Sequence, residues 1–192
     1  MHSGRLIHLL FLVIIPISLW SQQKYEAESR ISRKEVPKAM SDFIGNCCEQ
    51  YTIKWYKEQQ SNTYSYEAKF KKSGVLFSLE FDLNGRLEDI EKRVDIDDLP
   101  LKLQNKIHST LDNTFDQIRI QKVQIQYSGE EKVLKDLMKE DILDDGIAIR
   151  YELIVLGKLG QQVSKWEVLF DKNGELLQRF RLVNRNQDNL NY

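Results

Sequence analysis

The sequence predicts an α+β protein made of two similar units, each with one helix followed by antiparallel strands. A turn motif, Phe-Asp-Leu-Asn-Gly-Arg-Leu at 81–87, recurs as Phe-Asp-Lys-Asn-Gly-Glu-Leu at 170–176. Each copy lies between two runs of strand-forming residues, and Asn-Gly is a strong hairpin signal because both residues tolerate a positive φ. The repeat indicates a tandem duplication that forms one sheet with helices on one face, with units at 35–98 and 99–183.

The N-terminal segment, residues 1–21, has the pattern of a signal peptide. Arg5 precedes an apolar run from Leu6 to Trp20, and the chain turns polar at Ser21. The run is shorter than the ~20 residues that span a membrane comfortably. We expect cleavage near Ser21, which leaves a periplasmic or secreted protein without a stable membrane span; an uncleaved anchor helix is the alternative. Residues 22–34 are polar and irregular, and they predict a tether.

The charge of the mature chain is nearly balanced. Without residues 1–21 it has 27 basic and 29 acidic residues, because the removed segment contains Arg5 and no acid. Both signs are interspersed, so no long-range field gathers polyanions. We therefore expect no nucleic-acid partner, and the length fits one domain or two small ones that share a sheet.

The first unit is predicted to begin with a helix after Pro37 that ends near Gly45, since proline suits a first helical turn and glycine a helix end. Four strands follow, over 53–58, 64–71, 75–81 and 87–94. Apolar and polar residues alternate along the second and third strands. A period of two with one apolar side is typical of an antiparallel sheet that is covered on one face.

The second unit is predicted to begin in the same way at Pro100, with a longer helix and strands over 118–127, 147–156, 163–170 and 176–183. One face of this helix carries apolar residues spaced four apart: Leu103, Ile107, Leu111 and Phe115. Across both units, the aromatic residues predicted to face the helices are Tyr66, Phe70, Phe77, Phe81, Tyr151, Trp166 and Phe170.

Two segments lie outside the repeated pattern. The second unit is 22 residues longer than the first between the proline and the second strand, and the insertion falls largely in 129–145. Its apolar residues have the spacing of a short amphipathic helix: Val133, Leu134, Leu137, Met138 and Ile142. The end of the chain, 184–192, is polar and without periodicity, which predicts a disordered tail.

The sequence contains no catalytic or metal-binding constellation. His108, the only histidine after residue 21, follows the core-facing Ile107 and is predicted to be a surface residue rather than a base. Cys47 and Cys48 are adjacent and close only a strained ring, so we expect one packed and one half-exposed thiol; a redox switch or an intermolecular disulfide is the alternative. We therefore predict a protein that is not an enzyme and holds no cofactor or metal.

The same residues carry a resemblance to a known family. The helix openings Val-Pro and Leu-Pro, the strand motif Trp55-Tyr56-Lys57, Tyr-Glu-Ala-Lys-Phe at 66–70 and the repeated turn resemble the PepSY-like, β-lactamase-inhibitor-like family of exported bacterial proteins. The resemblance covers 35–183 and implies helices on one face of a continuous antiparallel sheet, with the other face free, often for binding another protein. It implies no catalytic residues. The 22-residue insertion and the lack of a Trp-Tyr pair in the second unit depart from the pattern.

The face opposite the helices is the predicted binding surface. Most of its residues are charged and are expected to form solvated ion pairs, which contribute little. The exceptions are Tyr56, Arg150, Ile154 and Leu169. Tyrosine and arginine are enriched at binding hot spots, and exposed aliphatic residues on a sheet are unusual. We predict these four as partner-binding residues.

Two classes of function fit these observations. The first is a non-catalytic exported binding module, either an inhibitor of a hydrolase or an interaction protein of the cell envelope, which acts through the free face. The alternative is a binder of a small ligand or lipid in a cavity between helices and sheet, or a structural envelope protein. The partner, the ligand and the oligomeric state are not determined by the sequence.

Overall fold

The computed structural model describes residues 22–60 and 63–184, which form nine strands and three α-helices. The elements are β1 (Gln22–Ile31), α1 (Lys38–Cys47), β2 (Lys54–Gln60), β3 (Thr63–Lys72), β4 (Val75–Phe81), β5 (Leu87–Val94), α2 (Leu101–Thr114), β6 (Gln117–Ser128), α3 (Glu131–Glu140), β7 (Ala148–Leu159), β8 (Gln162–Asp171) and β9 (Leu176–Asn184). The α+β class is confirmed. The predicted signal peptide, and all but the first residue of the predicted tail, lie outside the described residues.

The strands lie side by side in chain order, and β1 also pairs with β9, so the sheet closes on itself. All neighbouring pairs are antiparallel except β1 and β9, which run parallel over 22–26 and 180–184. The prediction of one continuous sheet with helices on one face is confirmed. The expectation of a purely antiparallel sheet is wrong for this one pair, which no local pattern in the sequence indicates.

Residues 22–34 are not the irregular tether that their composition suggested. The N-terminal half of β1 pairs with β9, and its C-terminal half, 26–31, pairs with β2. A short 3-10 turn, Arg33–Glu35, then leads into α1. The strand escaped prediction because its polar side chains, among them Lys24 and Glu28, face a polar interior rather than a hydrophobic core.

Two hydrophobic cores lie between the helices and the convex face of the sheet. In the first, Met40 and Phe43 of α1 pack with Phe70 and Phe81 of the strands. In the second, Ile107 of α2 packs with strand residues that include Trp166 and Phe170. All seven aromatic residues predicted to face the helices belong to these two cores or pack against them. The alternation of the strands therefore identified the covered face correctly.

The insertion at 129–145 forms α3, as its spacing predicted. Leu134 and Met138 are buried, but they belong to the first core, next to α1, and not to the second core, which α2 covers. Ile142 lies beyond the helix and is half exposed. The inserted helix thus completes the cover of the first core, because α1 has only ten residues.

The repeated turns have the same backbone geometry. Gly85 and Gly174 both have a φ of +79°, and each turn is followed by a register shift in its hairpin. The carboxylate of Asp82 accepts hydrogen bonds from the N–H groups of Asn84 and Arg86, and Asp171 bonds the equivalent two N–H groups. The asparagines do not adopt a positive φ, so the turns are bulged rather than primed. The duplication itself stays a prediction.

Candidate functional site: the concave face of the sheet

The face opposite the helices encloses a cavity of about 550 Å³ because β1 closes the sheet around it. Its walls are the inward-pointing residues of the strands, with charged side chains in the majority. The acidic residues are Glu28, Glu58, Glu67, Glu80, Glu91, Glu152 and Glu167, and the basic residues are Lys24, Lys69, Arg93, Lys122 and Lys165. The helix-free face is therefore a polar interior, and the expectation of an open, solvated surface is wrong.

Burial distinguishes this face from an ordinary solvated sheet. Six polar side chains on it are buried: Glu67, Ser78, Glu91, Gln124, Glu152 and Glu167. Withdrawing charges from water is unfavourable unless they are paired and hydrogen-bonded. The interior must therefore be organised by specific contacts.

Ion pairs supply part of that organisation and link β1 to β8 and β3, the strands that lie beyond its two neighbours. Lys24 Nζ lies 2.8 Å from Glu167 Oε2 of β8, and Lys69 Nζ of β3 lies 3.1 Å from Glu28 Oε1 of β1. Lys69 also lies 2.7 Å from Glu67 Oε2. Burial would lower the pKa of Lys69, but the carboxylates of Glu67 and Glu28 outweigh it and raise the pKa. Lys69 is thus held charged between Glu67 of its own strand and Glu28 of β1, which lies on the other side of β2.

Three carboxylates from neighbouring strands converge in the same interior. Glu67 of β3, Glu80 of β4 and Glu91 of β5 each offer one oxygen, and these oxygens lie within 4.8 Å of one another. Burial, reinforced by the charge of Glu91, raises the pKa of Glu80 well above its ordinary value. Burial also raises the pKa of Glu91, where Glu152 adds to the effect. We refer to Glu67, Glu80 and Glu91 as the carboxylate cluster.

Polar groups around the carboxylate cluster leave two buried acceptors unsatisfied. The hydroxyl of Ser78 donates a hydrogen bond to Glu67, and Gln124 Nε2 donates to Glu91 Oε2 at 2.6 Å. Gln124 Oε1 and Asp89 Oδ1 are buried without a hydrogen-bond partner among the described residues. Burial and the charge of Glu152 raise the pKa of Asp89 to about 7.

The four predicted binding residues all lie on strand positions that face the cavity side. Ile154 and Leu169 line the cavity; Ile154 is buried and Leu169 half-buried, so neither is the exposed aliphatic residue that the sequence suggested. Tyr56 and Arg150 are half-buried at the periphery. Lys69 Nζ lies 4.8 Å from the ring centroid of Tyr56, and Arg150 reaches Ser128 at 3.5 Å. The structure therefore places these residues on one face without bringing them together in a single cluster.

The contribution of β1, β5 and β6 to this face was not predicted from the sequence. On β6, Lys122, Gln124 and Gln126 alternate with apolar residues that face the second core. That period of two indicates which residues of β6 point away from the second core. It does not indicate that these residues are buried, because polar and charged side chains are usually exposed.

Both cysteines are buried, contrary to the expectation of one half-exposed thiol. Cys47 and Cys48 lie at the end of α1 in the first core, with their sulfur atoms 2.8 Å apart. The contact with Cys48 lowers the pKa of Cys47, and Lys135 and Lys139 of α3 act in the same direction. The same contact raises the pKa of Cys48.

A second cavity, of about 440 Å³, lies on the convex side beside α3. Its walls include Phe77 and Ile90 from the sheet and Met138 from α3, and Lys72 and Lys92 stand among its polar residues. It is smaller and more apolar than the concave cavity. It corresponds to the space between helices and sheet that the alternative function requires.

No protein-family model and no curated protein matches the chain. Solved structures do resemble it. A predicted periplasmic protein from Bacteroides eggerthii has a TM-score of 0.50 at 16% identity, over 76% of this chain and 88% of that chain. A DUF2874 family protein from Bacteroides ovatus has a TM-score of 0.49 at 14% identity, over 76% and 87%. A BLIP-like protein from Bacteroides fragilis has a TM-score of 0.45 at 18% identity, over 76% and 86%.

The Bacteroides eggerthii structure is that of an exported bacterial protein, the kind that the sequence resembles, so the predicted resemblance is confirmed as a likeness of fold. At such identities the similarity carries no activity and no binding site. Within residues 22–60 and 63–184, no helix is both long and apolar enough to cross a membrane.

Proposed function

We propose that the protein is an exported, non-catalytic binding module whose site is the concave face of the sheet. The observation that supports this proposal is the set of buried charges on that face. A hydrophobic interior of similar volume would be as stable or more so, because the desolvation of ion pairs is seldom repaid. Buried charges with perturbed pKa values are typical of functional sites.

The first candidate occupant is a projecting segment of another protein of the cell envelope. The half-buried Tyr56 and Arg150 offer an aromatic ring and a guanidinium group at the periphery, where a partner would first make contact. Ile154 and Leu169 offer apolar area among the charges deeper inside. This arrangement of apolar anchors surrounded by polar groups is common in protein interfaces.

A pull-down from the cell envelope, followed by affinity measurements with the captured partner, tests this proposal. Tyr56→Ala and Arg150→Ala should leave the fold intact and weaken binding by about 2 kcal/mol or more if either residue is a hot spot. Lys54→Ala is the matched control, because Lys54 is exposed at the start of the same strand as Tyr56. If Tyr56, Arg150, Ile154 and Leu169 can all be truncated without effect while changes in α3 abolish binding, the concave face is not the site.

The cavity beside α3 favours a second candidate, a small amphipathic ligand with an acidic group. Phe77, Ile90 and Met138 would contact its apolar part, and Lys92 would attract the acid. Native mass spectrometry of the protein purified under mild conditions should detect a bound small molecule. Met138→Trp should displace this ligand without affecting a partner that binds the concave face, so the two candidates can be separated.

A further inference from the structure

The carboxylate cluster has a feature that a set of structural ion pairs does not require. Glu67, Glu80 and Glu91 approach one another from three adjacent strands, with one oxygen of each inside a 4.8 Å radius of the others. Glu67 and Glu91 are each only 4% exposed. Three ionised carboxylates at this separation repel one another strongly in a buried setting, so the cluster must either bind protons or hold a positive charge between its oxygens.

Gln124 provides an independent observation at the same place. Its side chain is 6% exposed, and its amide nitrogen is 2.6 Å from Glu91 Oε2, so the amide group lies at the edge of the cluster. Its carbonyl oxygen is buried and accepts no hydrogen bond from the described residues. A buried acceptor without a partner is unfavourable by about 1–3 kcal/mol. This oxygen is bonded to the same carbon as the nitrogen that contacts Glu91, so a divalent cation at that edge of the cluster would satisfy it and offset two of the three carboxylate charges.

We propose that Glu67, Glu80 and Glu91, with the side-chain carbonyl of Gln124, bind a divalent cation, Ca²⁺, inside the concave cavity. The donor set consists of oxygen atoms only, which favours Ca²⁺ or Mg²⁺ over the transition metals that prefer nitrogen or sulfur. Ca²⁺ accepts irregular geometry and six to eight ligands, whereas Mg²⁺ requires a near-ideal octahedron. The surrounding cavity has room for waters to complete the coordination.

Nearby lysines do not make the cation unnecessary. Lys69 pairs with Glu67, but it also lies 3.1 Å from Glu28, so it can keep a partner when Glu67 turns to a metal. Lys122 pairs with Glu152 at 3.1 Å. Seven carboxylates and five cationic side chains line the cavity. Carboxyl groups therefore outnumber cationic side chains on the walls of the cavity.

Calorimetric titration of the chelator-treated protein with CaCl₂ tests the site directly. We expect one Ca²⁺ per chain, with a dissociation constant of about 0.1–1 mM, as in extracellular modules, and a Tm that rises with Ca²⁺. Glu80→Gln removes one carboxylate, and Gln124→Met removes the carbonyl with little change of shape. Each should weaken Ca²⁺ binding at least about tenfold.

Glu88→Gln is the matched control, because Glu88 is exposed on the same strand as Glu91 and should leave Ca²⁺ binding unchanged. Circular dichroism of the metal-free variants shows whether they fold. If one variant does not fold, the Ca²⁺ affinity of the other variant tests the proposal. The proposal is overturned if the wild type shows neither saturable heat nor a rise in Tm up to about 10 mM Ca²⁺. It is also overturned if both variants bind as the wild type does, and Mg²⁺ binding as tight as Ca²⁺ binding would overturn the assignment to calcium. None of these outcomes depends on a protein partner.

Discussion

Gly85 and Gly174 have the same φ but different neighbours. Substitutions at these positions therefore separate the cost of a positive φ from the cost of steric overlap. A Cβ on Gly85 would lie 2.8 Å from the backbone nitrogen of Met40 and 2.8 Å from Pro37 Cβ. A Cβ on Gly174 would lie 2.9 Å from Leu103 Cδ1, the end of a flexible side chain. The first contact involves the backbone of α1 and cannot relax by a rotamer change.

We expect Gly85→Ala to destabilise the protein more than Gly174→Ala. Gly74→Ala is the control for the backbone alone, because Gly74 has a φ of +83° and no atom within 4 Å of its added Cβ. We expect the free energy of unfolding of Gly74→Ala to be lower than that of the wild type by roughly 1 kcal/mol. The steric overlap in Gly85→Ala should lower it by about 1–3 kcal/mol more. Urea denaturation measures all three. Equal losses at the three positions would show that the contacts with the helices do not matter.

The raised pKa of Asp89 predicts a dependence of stability on pH. Asp89 ionises near its ordinary value of 3.8 in the unfolded chain, but near 7 in the folded protein. As pH rises between these values the unfolded state loses its proton first, so the folded state loses stability. Glu80 and Glu91 act in the same direction. In the presence of a chelator, we expect a higher Tm at about pH 5 than at about pH 8.

Asp89→Asn should reduce this dependence without abolishing it, because asparagine does not titrate in either state while Glu80 and Glu91 still do. Differential scanning calorimetry across the range provides the measurement. A Tm that rises from pH 5 to pH 8 would contradict the assignment of buried, protonated carboxyl groups to the concave face.

At the scale of elements, α3 has a role that its position in the sequence does not suggest. It follows β6, yet its buried residues complete the core that α1 covers. Leu134→Ala should therefore destabilise the protein by about 2–5 kcal/mol, as expected for a fully buried leucine. Ile142→Ala, at the 50% exposed residue of the same segment, should change stability by less than about 0.5 kcal/mol. Thermal unfolding of both variants distinguishes a core helix from an appended recognition helix, for which both losses would be small.

Local patterns explain which elements could be predicted from the sequence. β3, β4, β7 and β8 alternate apolar and polar residues because one side faces a helix, and α1 and α2 begin at prolines. β1 alternates only weakly: Tyr25, Ala27 and Ile31 are interleaved with charged residues, of which Lys24 and Glu28 line the polar cavity. The pairing of β1 with β9 joins segments that are distant in sequence, and no local pattern in either strand predicts it. For the same reason Ile154 and Leu169 were assigned to the correct face but not to a closed interior.

At the scale of the whole molecule, β1 determines whether the concave face is enclosed. Deleting residues 22–31 would leave β2 and β9 as edge strands with unpaired backbone groups. Such edges are templates for pairing with other chains. We expect the shortened protein to self-associate, which size-exclusion chromatography with light scattering detects. A stable monomer would show that the edges are protected by other means.

The pairing of β1 with β9 also has a consequence for the order of events in folding. In this pairing, 158 positions separate Gln22 from its partner Phe180, so the contact closes a loop of nearly the whole described chain. Contacts between such distant segments form slowly, because the chain loses the entropy of loop closure before the hydrogen bonds between the two strands can stabilise it. A chain that crosses a membrane from its N-terminus would deliver β1 first and its second partner last. The polar sequence of β1 suits this interval, since an apolar strand waiting unpaired would invite aggregation.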